Sequence, residues 1–308
     1  MKLFTSLINT IKEHFRLKLI ICFILCAILP LLILGTISYK ISYNIAKDKI
    51  LKETAISCEK NQHLLENRMT QIENLEDSIH FNLCMLCTTA EQPMSNYLDK
   101  LSAVRNNIAS IADSFNIYHV NIFLPDDTFA SKEGLTFCSL SDLKKYKVQL
   151  SDFSKQGLTP NWIFRKDINF PYMVSKGEEP SGVLSCYRYA KINSQKTCLA
   201  VHITSEELSN YLNTFSEGNP SLSYIINSEG VVLSSTDKKQ IGGSLSNEKL
   251  HAITQNLRLS HFSYDKCEII STPVHNQLFL VTETPDYYIR QSSSFLVKMI
   301  FICFMIIV

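Results

Sequence analysis

Residues 61–79 read NQHLLENRMTQIENLEDSI. Within and just beyond them, Leu65, Met69, Ile72, Leu75, Ile79, Leu83 and Leu86 recur at spacings of three and four. That interval places one apolar residue on the same side of each turn, so it predicts a helix with a single buried stripe. No glycine or proline occurs from residue 40 to about residue 90. A helix of about fifty residues would run roughly 75 Å, so a bend or break is expected within it. Such a helix has two readings: a stalk that pairs with a second copy, or a backbone on which later sheets pack. Both can hold at once.

Working outward, Leu19–Tyr39 is an uncharged run of 21 residues between Lys18 and Lys40. At ~1.5 Å per residue it reaches about 31 Å, which matches a hydrocarbon core of ~30 Å. Pro30 lies inside it, and membrane helices tolerate such a kink. The run exceeds the ~7–15 residues of a signal-peptide core and no A-x-A-like cleavage site follows, so a retained anchor is expected. Four lysines or arginines precede it (Lys2, Lys12, Arg16, Lys18) and four follow (Lys40, Lys47, Lys49, Lys52), a tie that leaves the orientation open. At the other end, MIFICFMIIV (Met299–Val308) follows Lys298. Ten apolar residues make only about 15 Å of helix, which reads as the start of a second membrane helix cut short.

The 30 Lys and Arg against 29 Asp and Glu leave a net charge of +1. This gives no electrostatic signature for nucleic acid, and no nucleic-acid partner is expected. Hydrophobic residues make up 45% of the chain, enough for real cores. Seven cysteines lie outside the apolar ends (Cys58, Cys84, Cys87, Cys138, Cys186, Cys198, Cys267), an odd and sparse set unlike a disulfide scaffold. Cys84 and Cys87 form a lone C-x-x-C, with no second pair for zinc and a spacing that equally suits one buried helix face.

Beyond Pro93, Met94–Ile111 again reads as helix. Strands are expected at Val120–Pro125 and Thr128–Ser131, and a short helix at Leu140–Tyr146. The stretch to Pro180 reads as loop and holds the only tryptophan, Trp162. Strands Val183–Ala190 and Thr197–Ile203 are joined by an Asn193-Ser194 turn. Thr204-Ser205-Glu206-Glu207 reads as a capping box opening a helix to about Phe215. After a boundary at Gly218–Pro220 comes a hairpin, Ser223–Ser235, with Gly230 suited to a positive φ. A helix at 246–257 and strands near His261–Tyr264, Glu268–Pro273 and Leu278–Thr284 follow. His275-Asn276 reads as a turn, and Asp286 begins a last helix.

This order resembles the double Cache extracytoplasmic sensor region of bacterial receptors, most closely that of YesM-like sensor histidine kinases. The stretches that carry the resemblance are ILPLLILGTISY (Ile28–Tyr39), Asn61–Ile79, VNIFLPDDTFASKEGLTF (Val120–Phe137) and YIINSEGVVLSSTDKKQIGGSL (Tyr224–Leu245). It implies an α+β fold: two tandem PAS-like units with mixed or antiparallel sheets, packed on a long N-terminal helix and flanked by transmembrane helices. The implied division is 1–17 cytoplasmic, 18–39 membrane helix, 40–112 stalk, 113–217 distal unit, 218–290 proximal unit and 293–308 a truncated second membrane helix. Residues of about 40–292 would lie outside the cytoplasm. A homodimer through the stalk, contact with membrane lipid and a small-molecule ligand held mainly in the distal unit are implied as well. The ligand would be sugar-related if it follows the uptake systems such relatives accompany. The Tyr, Arg, Trp, Tyr and Asp constellation of the amino-acid-binding subset is not reproduced, because Ile163, Phe164 and Arg165 follow Trp162 with no Tyr–Asp run after them.

No phosphate loop, G-x-G-x-x-G, G-x-S-x-G or H-E-x-x-H is present, and the eight histidines show no short metal spacing. No catalytic residue, metal site or cofactor is expected, and kinase activity is not expected of this chain alone. The ligand-binding candidates are Trp162, Arg165, Tyr172, Tyr187 and Arg188, which offer aromatic faces and guanidinium forks. Each has a plainer reading: Trp162 with Phe164 as core, and Arg188 as a solvent-facing strand residue, since Tyr187 and Tyr189 point the opposite way. The expected function is the sensing region of a transmembrane two-component receptor. The alternatives are the same sensor on a membrane-anchored transcription regulator or a chemoreceptor, and a membrane-tethered cell-wall enzyme.

Overall fold

A computed structural model describes residues 15–87, 94–125, 136–141, 143, 160–166, 179–192, 195–212, 219–255, 258–275, 278–293 and 298. They divide into two compact units, one formed by the residues up to Glu53 with those from Pro285 onward, the other by Thr54–Thr284.

The helix read from residues 61–79 is part of α1, Phe15–Cys87, a continuous helix with Pro30 inside it. The expected break does not occur among these residues, because from residue 40 nothing interrupts the backbone ladder. The stripe is buried as predicted: Leu65, Met69 and Ile79 are fully enclosed, and Ile72, Leu75 and Leu83 nearly so. Each such side chain contributes about 1.5–3 kcal/mol. The helix α2 spans Met94–Ser114. Among the described residues no helix is long and apolar enough to cross a membrane. Much of the 18–39 segment has side chains outside that description, and 299–308 lies outside it entirely.

In Thr54–Thr284, strands β1 (His119–Leu124), β2 (Phe137–Ser139), β3 (Asn161–Arg165), β4 (Val183–Ile192) and β5 (Gln195–Thr204) form a sheet ordered β2-β1-β5-β4-β3. Strands β6 (Leu222–Ile226), β7 (Val232–Ser235), β8 (Ser260–Tyr264), β9 (Cys267–Val274) and β10 (Leu278–Pro285) form a second, ordered β7-β6-β10-β9-β8. Renumbered within each sheet, both orders are 2-1-5-4-3, so one PAS-like topology occurs twice. The fold is α+β, with two largely antiparallel sheets and a long N-terminal helix.

Strand β3 corrects the reading of its neighbourhood as loop: Asn161–Arg165 pairs antiparallel with Val183–Tyr187. The expected strand at Thr128–Ser131, residues 142 and 144–146 of the expected Leu140–Tyr146 helix, and the Asn193-Ser194 turn fall outside the described residues. The capping box forms by half. Thr204 Oγ1 accepts from Glu207 N at 3.1 Å, but the Glu207 carboxylate is drawn away to Arg68 and Asn116. The helix it opens, α3, is short, Ser205–Ser209. In the second sheet Asn227 Oδ1 accepts from Glu229 N and Val231 N, and Gly230 takes φ +79°. That closes the β6–β7 turn as expected. The helix α4, Asn247–Thr254, is capped by Ser246. It covers one face of the second sheet, with Ile253 packed among Tyr224, Ile226, Ile269, Phe279 and Val281.

Candidate functional site

Residues directly opposite in an antiparallel pair share a face, so the registers sort the first sheet into two sides. On one lie Trp162, Phe164, Leu184, Cys186, Arg188, Leu199, Val201 and Ile203. Its partners are on α1. Trp162 Nε1 donates to Glu73 Oε1 at 3.1 Å, Cys186 Sγ donates to Glu76 Oε2 at 3.5 Å, and Arg188 Nε lies 3.4 Å from the same oxygen and pairs with Asp77. Burial pushes the Glu76 carboxyl up to about 8, with the Arg188 guanidinium pulling the other way. The Cys186 thiol is pushed well above its ordinary range, first by burial and then by Glu76.

The opposite side carries His119, Asn121 and Phe123 of β1, Cys198, Ala200 and His202 of β5, Ser185, Tyr187 and Tyr189 of β4, and Asn161, Ile163 and Arg165 of β3. Its apolar part is Phe123, Cys138, Leu143, Tyr187, Cys198 and Ala200. Through the middle runs a polar chain. Ser185 Oγ and His202 Nδ1 lie 2.7 Å apart, His202 Nε2 and Asn121 Oδ1 2.9 Å, and Asn121 Nδ2 donates to Cys138 Sγ at 3.5 Å. With the Asn121 amide nitrogen committed to sulfur, its oxygen accepts, so His202 carries its proton on Nε2 and takes the Ser185 hydroxyl proton at Nδ1. Burial holds His202 well below its ordinary range, helped by His119 and Arg165, so the ring is neutral. Tyr187 meets it edge-on at 6.1 Å, and His119 stacks on it at 6.5 Å. A serine–histidine–asparagine chain has the residue types of a hydrolase, but Ser185 and His202 are both fully buried. They have the enclosure of an internal polar network, not the access a nucleophile needs.

The five sequence candidates therefore separate. Arg165 and Tyr187 share the side that bears the polar chain. Trp162 and Arg188 face α1, and the plainer reading of Arg188 as solvent-facing does not hold, since its side chain is only 14% exposed. Tyr172 lies outside the described residues. Sequence reading missed Asn121, Ser185 and His202. The one signal was a histidine inside the apolar alternation of Cys198–Ile203. Two cavities were also missed. One, about 330 Å³, lies between α2 and β1 and includes Arg105, Asp113, Tyr118 and His119. The other, about 900 Å³, includes Asp113, Asn116, Glu179, Glu206, Glu207 and Lys238. Among the described residues no three His, Cys, Asp or Glu side chains are placed to hold a metal ion. Cys22, Cys26, Cys58, Cys84, Cys138, Cys186, Cys198 and Cys267 are in no disulfide.

Solved structures that share this fold include sensory domains of chemoreceptors and an extracellular domain of a histidine kinase. The periplasmic sensory domain of the Campylobacter jejuni chemoreceptor Tlp1 superimposes with a TM-score of 0.58 at 13% identity, over 78% of this chain and 98% of that one. The isoleucine-bound sensory domain of chemoreceptor Tlp3 from the same organism gives 0.52 at 13% identity, over 82% and 98%. An extracellular domain described as that of a histidine kinase, rpHK1S-Z16, gives 0.55 at 16% identity, over 78% and 96%. At these identities the likeness is one of fold. No family model matches the chain, and no curated protein matches it in sequence.

Proposed function

We propose that the chain is the extracytoplasmic sensing region of a transmembrane receptor, with a small organic ligand bound in the distal unit, residues 113–217. The observation that carries this is the asymmetry between two copies of one topology. The second sheet's face is filled by α4 and an apolar cluster, with Tyr224, Glu283 and Lys249 paired to one another at its edge. The equivalent side of the first carries a neutral histidine, an amide, a hydroxyl and two tyrosines beside one guanidinium. The histidine, amide and hydroxyl bond to one another across three strands. Neighbours of the same fold support the reading, because Tlp3 is solved with isoleucine and with L-valine. Arg165 and Tyr187 are the ligand contacts of choice. Trp162 and Arg188 serve the joint with α1.

Residues 18–39 are the membrane anchor in this reading, and the region from about 40 to 292 lies outside the cytoplasm. Residues 293–308 enter the membrane again, and two copies pair along the stalk. A sensor histidine kinase of the YesM-like kind is the output that the sequence resemblance favours, over a chemoreceptor or a membrane-anchored regulator. A binding-induced shift in the distal unit would pass inward as a small displacement between packed elements. A topology reporter fused after Leu51 tests the placement: it should read as external, and a cytoplasmic signal would refute it.

A further inference from the structure

Side chains from three parts of the Thr54–Thr284 unit meet at one carboxylate oxygen. Glu73 Oε1, on α1, accepts from Trp162 Nε1 of β3 at 3.1 Å and from His275 Nε2 at 2.8 Å. A carboxylate only accepts, so the His275 proton sits on Nε2. The partners belong to different sheets. Trp162 lies on β3, the outer strand of the first sheet. His275 directly follows β9 of the second, and β10 then runs on in sequence to Pro285. The side chains of Glu73 and His275 are only 15% and 26% exposed, so water competes weakly for these bonds.

Helix α3 also meets strand β7 of the second sheet. Ser205 Oγ donates to the Leu233 carbonyl and Ser234 Oγ to the Ser205 carbonyl, both at 2.6 Å and buried. That joint is neutral and closed. The Glu73 joint rests on three side chains, Trp162, Glu73 and His275. It also sits one turn from Glu76, where Cys186 and Arg188 attach the neighbouring strand β4 to the same helix.

We propose that Glu73 is a coupling residue, the carboxylate through which displacement of β3 in the first sheet is felt by the β9–β10 pair of the second. When β3 moves, the indole N–H leaves Oε1. The bond from His275 to Glu73 remains. When the indole is seated, all three elements are fixed to one oxygen. The device works whichever ligand the distal unit takes, and its test is independent of that ligand.

Amide hydrogen exchange on the full chain reads the coupling, because protection reports the free energy of local opening. Trp162→Phe keeps the ring and removes the N–H. It should speed exchange in β9 and β10 by about ten-fold, the loss expected for one bond to a charged acceptor. His275→Ala should do the same in β3, and the double variant should be no faster than either single. Effects confined to the substituted sheet, with the double equal to the product of the singles, would overturn the proposal. If the Phe variant does not fold, the Glu73 pair decides. Glu73→Gln keeps an acceptor oxygen and should retain most of the cross-sheet protection that Glu73→Ala loses. Equal loss in both, or loss in neither, would overturn it.

Discussion

The buried carboxyl of Glu76 makes the sharpest quantitative prediction. Glu76 is fully enclosed, and its Oε1 has no hydrogen-bond partner among the described residues. Burial raises its ionisation from 4.5 to about 8. At about 1.4 kcal/mol per pH interval, charging it in the fold costs about 5 kcal/mol more than in the unfolded chain. The sign follows from the direction of the shift. Below the unfolded value both states are protonated and Glu76 costs nothing. As pH rises from 4.5 towards 8 the unfolded chain ionises and the fold does not, so stability is lost throughout that window. Above 8 the loss is complete and constant. Glu76→Gln has the same shape and never ionises. It should match the natural protein near pH 4, exceed it by about 3 kcal/mol at pH 7, and exceed it by about 5 kcal/mol at pH 9. Urea unfolding followed by the fluorescence of Trp162, the only tryptophan, measures this difference across pH 4–9, and titrations common to both proteins cancel. The contrary result is equally clear. If Glu76 is ionised and its 3.4 Å approach to Arg188 is a true ion pair, the Gln variant will be weaker at pH 9 by about 3–5 kcal/mol.

Other outcomes follow from the same geometry. Ser185→Ala removes the hydroxyl bonded to the buried His202 Nδ1 and should destabilise the chain by about 1–3 kcal/mol, measured by urea unfolding. Thr204→Ala removes the cap of α3 and should cost about 1 kcal/mol in the same assay. In the other unit, Tyr43 donates to Asp286 Oδ1 at 2.6 Å and Arg290 Nε donates to Oδ2 at 2.9 Å. The Tyr43 hydroxyl, followed by Arg290, holds the Asp286 carboxyl below its usual value of 3.8. The stabilisation is therefore present above 3.8 and lost as pH falls through the lowered value. Asp286→Asn should speed exchange in residues 286–293 at pH 7, and unchanged exchange there would contradict it.

The sequence was most legible where periodicity is local. The stripe from Leu65 to Leu83 needed only the helical repeat, and the Asn227–Gly230 turn needed only its residue types. Strand β3 was hidden because Asn161–Arg165 is five residues long, follows Pro160 and is half-buried on both faces, so it shows no alternation. The capping box was read too simply. Glu207 has the right spacing to return to Thr204, but Arg68, 139 residues away in sequence, claims it. The candidate site failed in a similar way. Alternation already separated Tyr187 from Arg188, yet which parity would face α1 depends on packing that a strand does not encode. Asn121, Ser185 and His202 come from three strands and meet only once the β1-β5-β4 order is known.

In the proposed function the first sheet's polar side takes a small ligand. A thermal-shift screen of free amino acids, sugars and organic acids against the full chain tests it most directly. A binder at 100 times its Kd should add about 2.7 kcal/mol of stability. The shift should survive in Trp162→Phe and be lost in both Arg165→Ala and Tyr187→Ala. A shift that Arg165→Ala and Tyr187→Ala leave intact, or the absence of any shift across all three compound classes, would contradict the claim.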